Sequence, residues 1–438
     1  MTGEHHSLAP TPSTRPRWVW LVGASLLALA CARERSAPSP AAVASASSAP
    51  LPAPEVKSVL LLTVDALRAD QPWTGYDGIQ TPHLSQLAKE SVVYTRAYAL
   101  SNTTAASLGG LLSGRYPSEI ARDACVLARY DMSDSLAVAL KGAGVHTFAA
   151  HGHALFAGDT APQLGFTDWR LITGAAGRLQ NDGAITGGEI ADLVNDYLRP
   201  ADPAGSHFIW AHFVDPHDAY TPHAEFPAKT AGDRPLYDGE VAYTDAVIGR
   251  VLESLERSQL AKHTAVIITA DHGEAFGEHQ NTRHGFTLFE EEIRVPLIVR
   301  VPGVAPRTID TPRSAIDLAP TIAELLGQPT STRRRGVSLV RDWQGSEPAS
   351  RAIVVDAPER VAGMARQAVI QHGYKVILDK SGPKVFDLRA DPGERAPLLG
   401  PETEGPIAQA RGHLIFLDKV LPEPCPSSGR SPTTQADL

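Results

Sequence analysis

The chain has 438 residues, 43% hydrophobic and 20% charged, with 36 glycines and 35 prolines, proportions that fit a globular protein of two or three lobes and exclude a collagen, a coiled coil or a disulfide scaffold. With 40 basic against 49 acidic residues the net charge is −9, and no dense Lys/Arg run occurs, so nucleic acid is not an expected partner. The 3 cysteines, Cys31, Cys125 and Cys425, are too few and too far apart to build a cysteine-ligated zinc site.

At the N-terminus, Arg15 and Arg17 precede an apolar run from Trp18 to Ala30, with no acidic residue between Arg15 and Cys31. A basic flank, a short apolar run and small residues predict an export signal over residues 1–30; a helix spanning a bilayer needs roughly 20 apolar residues. Ala28-Leu29-Ala30-Cys31 resembles the cleavage box of bacterial lipoproteins. The expected mature protein is therefore exported, periplasmic or at the cell surface, and held to the membrane by lipid on Cys31; a plain secretory peptide is the alternative. Residues 31–55 are mostly Ser, Ala and Pro, a composition that cannot bury enough surface to order itself, and they form a tether. Export also permits a disulfide between Cys125 and Cys425, which their spacing does not require.

From Val56 onward, short β-branched runs alternate with amphipathic stretches, predicting an α/β fold with a mostly parallel central sheet. The strand candidates are Val59–Val64, His146–Ala150, His207–Phe213, Ala265–Thr269 and Val295–Val301. Helices are expected at Pro82–Glu90, Ala105–Leu112, Ser135–Ala143, Gly239–Ser258 and Asp317–Leu326. This catalytic domain is placed at residues 56–330. Four short strands, Ala352–Val355, Gln367–Ile370, Lys375–Leu378 and Lys384–Phe386, predict a small antiparallel C-terminal subdomain at 331–420, before a disordered tail at 421–438.

Several strand candidates end in polar clusters, at the sheet edge where ligands bind in open α/β folds. Asp65 follows the first, Asp215-Pro216-His217 the third, and Asp271-His272 the fourth. A carboxylate beside an imidazole at that edge suits a divalent cation, Ca, Mg, Mn or Zn; a plain hydrogen-bonded Asp-His pair is the competing reading. Thr104 opens the helix Ala105–Leu112, where a threonine is ordinarily an N-cap. With a metal and the helix dipole behind it, the same hydroxyl becomes a nucleophile. His217 and His284 lie in polar loops, where an imidazole can contact an anionic oxygen or protonate a leaving group. His212 reads as an ordinary core or surface histidine, and His151 with His153 as a weaker candidate pair.

Together these residues resemble the sulfatase family of the alkaline phosphatase superfamily. The resemblance runs through Val64–Asp70, Thr81–Ala88, Leu111–Pro117, His212–His217, Asp271–Glu274, Val295–Ile298, Asp317–Thr321 and Phe386–Glu394. It implies a three-layer fold, metal ligands at Asp65, Asp271 and His272, a nucleophile at Thr104 that is also a metal ligand, an anion contact at His217, and a His-Gly element at His284-Gly285. The sequence departs from the family where its sulfatases carry Cys or Ser in a C/S-x-P-x-R context. Here Thr104-Ala105-Ala106-Ser107-Leu108 occupies that place, the second N-terminal aspartate is Ala66, and no lysine accompanies Gly152. Formylglycine is therefore not expected.

The resulting expectation is an exported, single-metal hydrolase or transferase of phospho- or sulfo-esters, with a Thr104 covalent intermediate and phosphodiester or phosphoglycerol-type substrates favoured. Its substrate would be a small-molecule, lipid or glycan ester. The alternatives are a sulfuric ester hydrolase without formylglycine and an inactive anion-binding lipoprotein.

Overall fold

Seven consecutive residues of the first strand, Ser58–Val64 (β1), are buried, which requires cover on both faces and neighbours on both edges. The computed structural model supplies them. It describes residues 55–123, 129–153, 155, 163–172, 185–344, 348–358, 365–417 and 419–423. The signal, nearly all of the tether, Cys125, Cys425 and all but the first three residues of the tail lie outside the described residues.

β1 is followed by α1 (Pro82–Lys89), β2 (Val92–Tyr98), α2 (Thr104–Ser113), α3 (Leu136–Gly142), β3 (His146–His151), β4 (Asp168–Leu171), α4 (Gly187–Leu198), β5 (His207–Phe213), α5 (Asp233–Arg257) and β6 (Thr264–Ala270). A two-residue hairpin pair, β7 (Ala275–Phe276) and β8 (Thr282–Arg283), leads to α6 (Glu290–Ile293), β9 (Arg294–Arg300), β10 (Arg307–Ile309), β11 (Arg313–Ser314) and α7 (Leu318–Leu325). The nine-stranded sheet runs β10-β2-β9-β6-β1-β5-β3-β4, with β11 also on β2. β1 pairs in parallel with both β5 and β6, while β9 is antiparallel to β6 and β2. Pro296 cannot donate to a ladder, and the register on β2 slips between Tyr94 and Ala97, opposite it. Helices α1, α4 and α5 pack together, as do α2, α3 and α7, completing a three-layer α/β fold.

The core is a continuous slab around Leu60, Leu61, Phe208, Trp210, Ile267 and Ile268; each such fully buried side chain contributes roughly 1.5–3 kcal/mol of transfer free energy. The five strand expectations hold to within a residue or so at their ends. β2, β4 and α4 are additional, and α5 starts at Asp233, six residues before the expected Gly239.

The C-terminal antiparallel sheet is β12 (Ile353–Ala357), β13 (Arg366–Gln371), β14 (Tyr374–Asp379) and β15 (Gly382–Asp387), backed by α8 (Glu404–Leu414). One face of this sheet shares a core with Tyr98, Leu288 and Ile293. The fully buried Lys375 ammonium reaches Glu394 at 2.9 Å and Glu290 at 3.2 Å, tying the small sheet to α6.

Candidate active site

Three parallel strands deliver their C-terminal ends side by side, because Val64, Phe213 and Ala270 are paired residues in register. The residue just after β1 is Asp65, held by its N–H on the Phe213 carbonyl at 2.8 Å. Ala66 then adopts a left-handed backbone, φ 55°, at a cost of about 1–2 kcal/mol. This turn brings the Ala66 N–H to Asp271 Oδ1 at 3.3 Å. Gly273 lets the chain beyond β6 pass against α6, since a Cβ there would lie 2.1 Å from the Glu291 carbonyl oxygen.

Asp65, Asp271 and His272 are 0%, 1% and 0% exposed, and one ligand atom from each falls within 4.8 Å of the others. His272 Nδ1 is 2.9 Å from the Gly273 carbonyl; a carbonyl can only accept, so Nδ1 carries the proton and Nε2 presents a lone pair. That lone pair faces Asp65 Oδ1 at 3.5 Å and Asp271 Oδ2 at 3.4 Å. Asp65 Oδ1 is buried with no hydrogen-bond partner. Two buried carboxylates and a bare imidazole nitrogen pointed at one spot repel each other unless a cation lies between them.

The titration behaviour agrees. Burial and the Asp65 charge push Asp271 well above the usual carboxylate range. Burial acts the same way on Asp65, but His217, His212 and His272 outweigh it and hold that carboxyl well below. Burial, with His284 adding to it, drops His272 to about 3, keeping it neutral as a ligand must be. The donor set, two carboxylates and one imidazole, fits a divalent ion.

Thr104 is the first residue of α2, after an N-cap Thr103 whose side chain makes no cap bond. The N-cap reading of Thr104 therefore fails: its Oγ1 lies 3.2 Å from His272 Nε2, at the triad. His217 and His284 stand over the same centre with ring centroids 5.0 Å apart, and His284 is 4.1 Å from the His272 ring. His217 Nδ1 donates to the Asp218 carbonyl at 2.7 Å. Burial lowers the His217 pKa, but Asp65, Asp218 and Glu274 together raise it above the ordinary value.

Asp215 is not in this group. Its Oδ1 accepts the N–H groups of Thr186 and Gly187 at 2.9 Å, at the start of α4, so it serves the helix and not a second metal. His212, read from sequence as an ordinary core or surface histidine, is at the site: its Nε2 is 3.4 Å from Asp65 Oδ2. His153 is there too, at 3.9 Å from the same oxygen.

Sequence reasoning assigned no role to Glu274, Tyr220 or Glu292. Glu274 takes Tyr220 Oη at 3.0 Å and His284 Nδ1 at 3.1 Å. Glu292 accepts the N–H groups of Gly285, Phe286 and Thr287 and the Asn102 amide, clipping the His284 loop to the segment before Thr104. An acid in a continuous Glu290-Glu291-Glu292 run gives no signal of such burial.

The three-layer fold thus closes over a buried Asp-Asp-His triad with the donor set of a divalent-metal site. Residues 57–328 match the family model described as Sulfatase, and the chain belongs to the sulfatase family. A choline-sulfatase of Rhizobium meliloti is 33% identical over 182 residues, which are 40% of this chain and only 35% of that relative. An ulvan-active sulfatase of Formosa agariphila is 24% identical over 401 residues, 79% of this chain and 78% of the relative. Among solved structures, one in complex with its substrate D-glucosamine-2-N,6-O-disulfate superposes with TM-score 0.69 at 17% identity, covering 83% of this chain and 97% of that one. The phosphonate monoester hydrolase of Silicibacter pomeroyi gives 0.67 at 20% identity, covering 82% and 94%. Identities this low speak for the fold.

Proposed function

We propose that this protein is a sulfuric ester hydrolase that works without formylglycine, with the Thr104 hydroxyl as nucleophile and a sulfated sugar as substrate. The observation that carries the reading is the 3.2 Å approach of Thr104 Oγ1 to His272 inside the buried triad. The names of the relatives, choline-sulfatase, ulvan-active sulfatase and hexuronate-2-O-sulfatase, favour sulfuric and glycan esters over the phosphodiester and phosphoglycerol substrates preferred from sequence.

Asp65, Asp271 and His272 would hold the divalent ion, with Thr104 beside it. When bound, the ion supplies Lewis-acid polarisation of the ester and lowers the cost of negative charge at the hydroxyl oxygen. Thr104, fixed at the first turn of α2, gives up its hydroxyl proton to water and attacks sulfur in line; the Thr104 O–S bond forms as the bond to the leaving alcohol breaks. His217, held by Asp218 and raised in pKa, supplies the proton to the departing oxygen, and His284, braced by Glu274, faces the transferred group. Water then attacks sulfur and the Thr104 O–S bond breaks; one water proton goes to the Thr104 oxygen, the other restores the proton on His217, and sulfate leaves. The test is a panel of sulfate, phosphate and phosphonate esters with the Thr104→Ala variant as control. Sulfate ester turnover abolished by that substitution is expected; turnover that survives it rejects the nucleophile.

Export, the Cys31 lipid, the tether and the domain limits remain part of this proposal. Among the described residues no helix is long and apolar enough to cross a membrane. Cell fractionation of the wild type against Cys31→Ser checks the anchor: membrane association lost on substitution supports it, and association unchanged rejects it.

A further inference from the structure

The Asp65 carboxylate has two sides. Oδ1 faces His272 at 3.5 Å, on the side of the triad. Oδ2 faces two other imidazoles, His212 Nε2 at 3.4 Å and His153 Nε2 at 3.9 Å. These two nitrogens could be further metal ligands or hydrogen-bond donors, and the opposite nitrogen of each ring decides between them.

His153 Nδ1 accepts the backbone N–H of Leu155 at 2.9 Å. A peptide N–H can only donate, so in the neutral ring the proton sits on Nε2, facing Asp65. For His212 the chain of reasoning is longer. The Trp210 indole N–H, also donor only, spends itself on Thr63 Oγ1 at 2.9 Å. Thr63 has one hydroxyl proton to place, and its partners are His212 Nδ1 at 2.9 Å and the Ala211 carbonyl at 3.4 Å. The shorter contact makes His212 Nδ1 the acceptor and leaves the proton on Nε2. The reverse tautomer would set a nitrogen lone pair against a buried carboxylate oxygen, a repulsion with no solvent to relieve it. Parallel register makes the relay possible, because Thr63 and His212 are paired residues on adjacent strands.

We infer that His212 and His153 are positioning residues outside the metal's own ligands: their Nε2–H groups face Asp65 Oδ2, His212 within hydrogen-bonding reach at 3.4 Å and His153 as a longer electrostatic contact at 3.9 Å, and they hold the carboxylate with Oδ1 turned to Asp271 and His272. Trp210 and Thr63 set the tautomer of His212. The inference rests on the metal reading above and extends it to the layer behind the ligands, which orients carboxylate ligands in metal sites.

Two measurements on the full chain test it. Histidine side chains labelled with ¹⁵N report tautomers directly; His212 and His153 with protonated Nε2 and unprotonated Nδ1 in the protein loaded with diamagnetic Zn²⁺ are expected. An unprotonated Nε2 on either, as for a ligand, overturns the assignment for that residue. Second, Mn²⁺ is titrated calorimetrically into the wild type and into Thr63→Val, Thr63→Ser and His212→Leu. Affinity should fall about 10–100-fold in Thr63→Val and His212→Leu and be restored in Thr63→Ser, which keeps the hydroxyl. Equal affinity in all four overturns the relay while leaving the metal site intact. A wild type that takes up no Mn²⁺, Zn²⁺, Mg²⁺ or Ca²⁺ overturns the metal reading and this inference together. Should His212→Leu fail to fold, the near-isosteric Thr63→Val and the ¹⁵N spectrum of the wild type still decide.

Discussion

Thr104 Oγ1 and His272 Nε2 lie 3.2 Å apart although 168 residues separate them in the chain. The first sits at the start of α2, the second just past β6, and the approach exists only because the helix layer places its N-terminus over the ends of β1 and β6. Hydroxyl, imidazole and two carboxylates then share one buried point.

Thr104→Ala should lower kcat/KM on a sulfate ester by at least about 10³-fold, as expected for a nucleophile acting with its activating groups as one unit. Thr104→Ser keeps the oxygen and should retain measurable turnover. Steady-state kinetics on the two variants, with circular dichroism to check folding, reads the difference.

Removing a ligand should empty the site without unfolding the sheet. Asp271→Ala and Asp65→Asn are expected to purify with far less than one equivalent of divalent metal, measured by elemental analysis against the wild type. Chelation of the wild type should abolish activity, and readdition of metal should restore it.

The raised pKa of His217 predicts a pH limb. If His217 protonates the leaving oxygen, the active form carries the proton. Activity then persists above the ordinary histidine range near 6.5 and falls as pH rises through the elevated pKa. His217→Gln should remove that alkaline limb and lower kcat by about 10²–10⁴-fold. The kcat/KM profile of both proteins against pH checks it.

Glu292 gathers three backbone N–H groups and the Asn102 amide in a buried pocket. Glu292→Ala strands those donors and should cost on the order of 2–4 kcal/mol, read from urea denaturation. Because the same bonds hold His284 near Thr104, kcat should fall further than metal affinity does.

Much of this was legible in the sequence, for a definite reason. Asp65, Asp271 and His272 each follow a run of apolar residues, and a polar residue at the end of a buried parallel strand has the sheet edge as its place. Thr104 was legible as a helix start, though its direction was not, since an N-cap and a nucleophile look alike in one dimension. His212 was misread because it lies inside the strand run His207–Phe213 and its partners, Thr63 and Asp65, come from a neighbouring strand whose register no local pattern reveals. Glu292 and Tyr220 act across long sequence separations through single hydrogen bonds, and no periodicity marks them. β2, with Tyr94, Thr95 and Arg96 at its centre, is pinned by β9 and β10 more than by its own composition.

The most direct test of the central claim is to quench the metal-loaded protein during turnover of a sulfate ester and map the covalent adduct by peptide mass spectrometry. A sulfuryl group on Thr104, absent from Thr104→Ala and from metal-depleted protein, is the predicted result. Turnover with no adduct on Thr104 and an adduct on another side chain would contradict it.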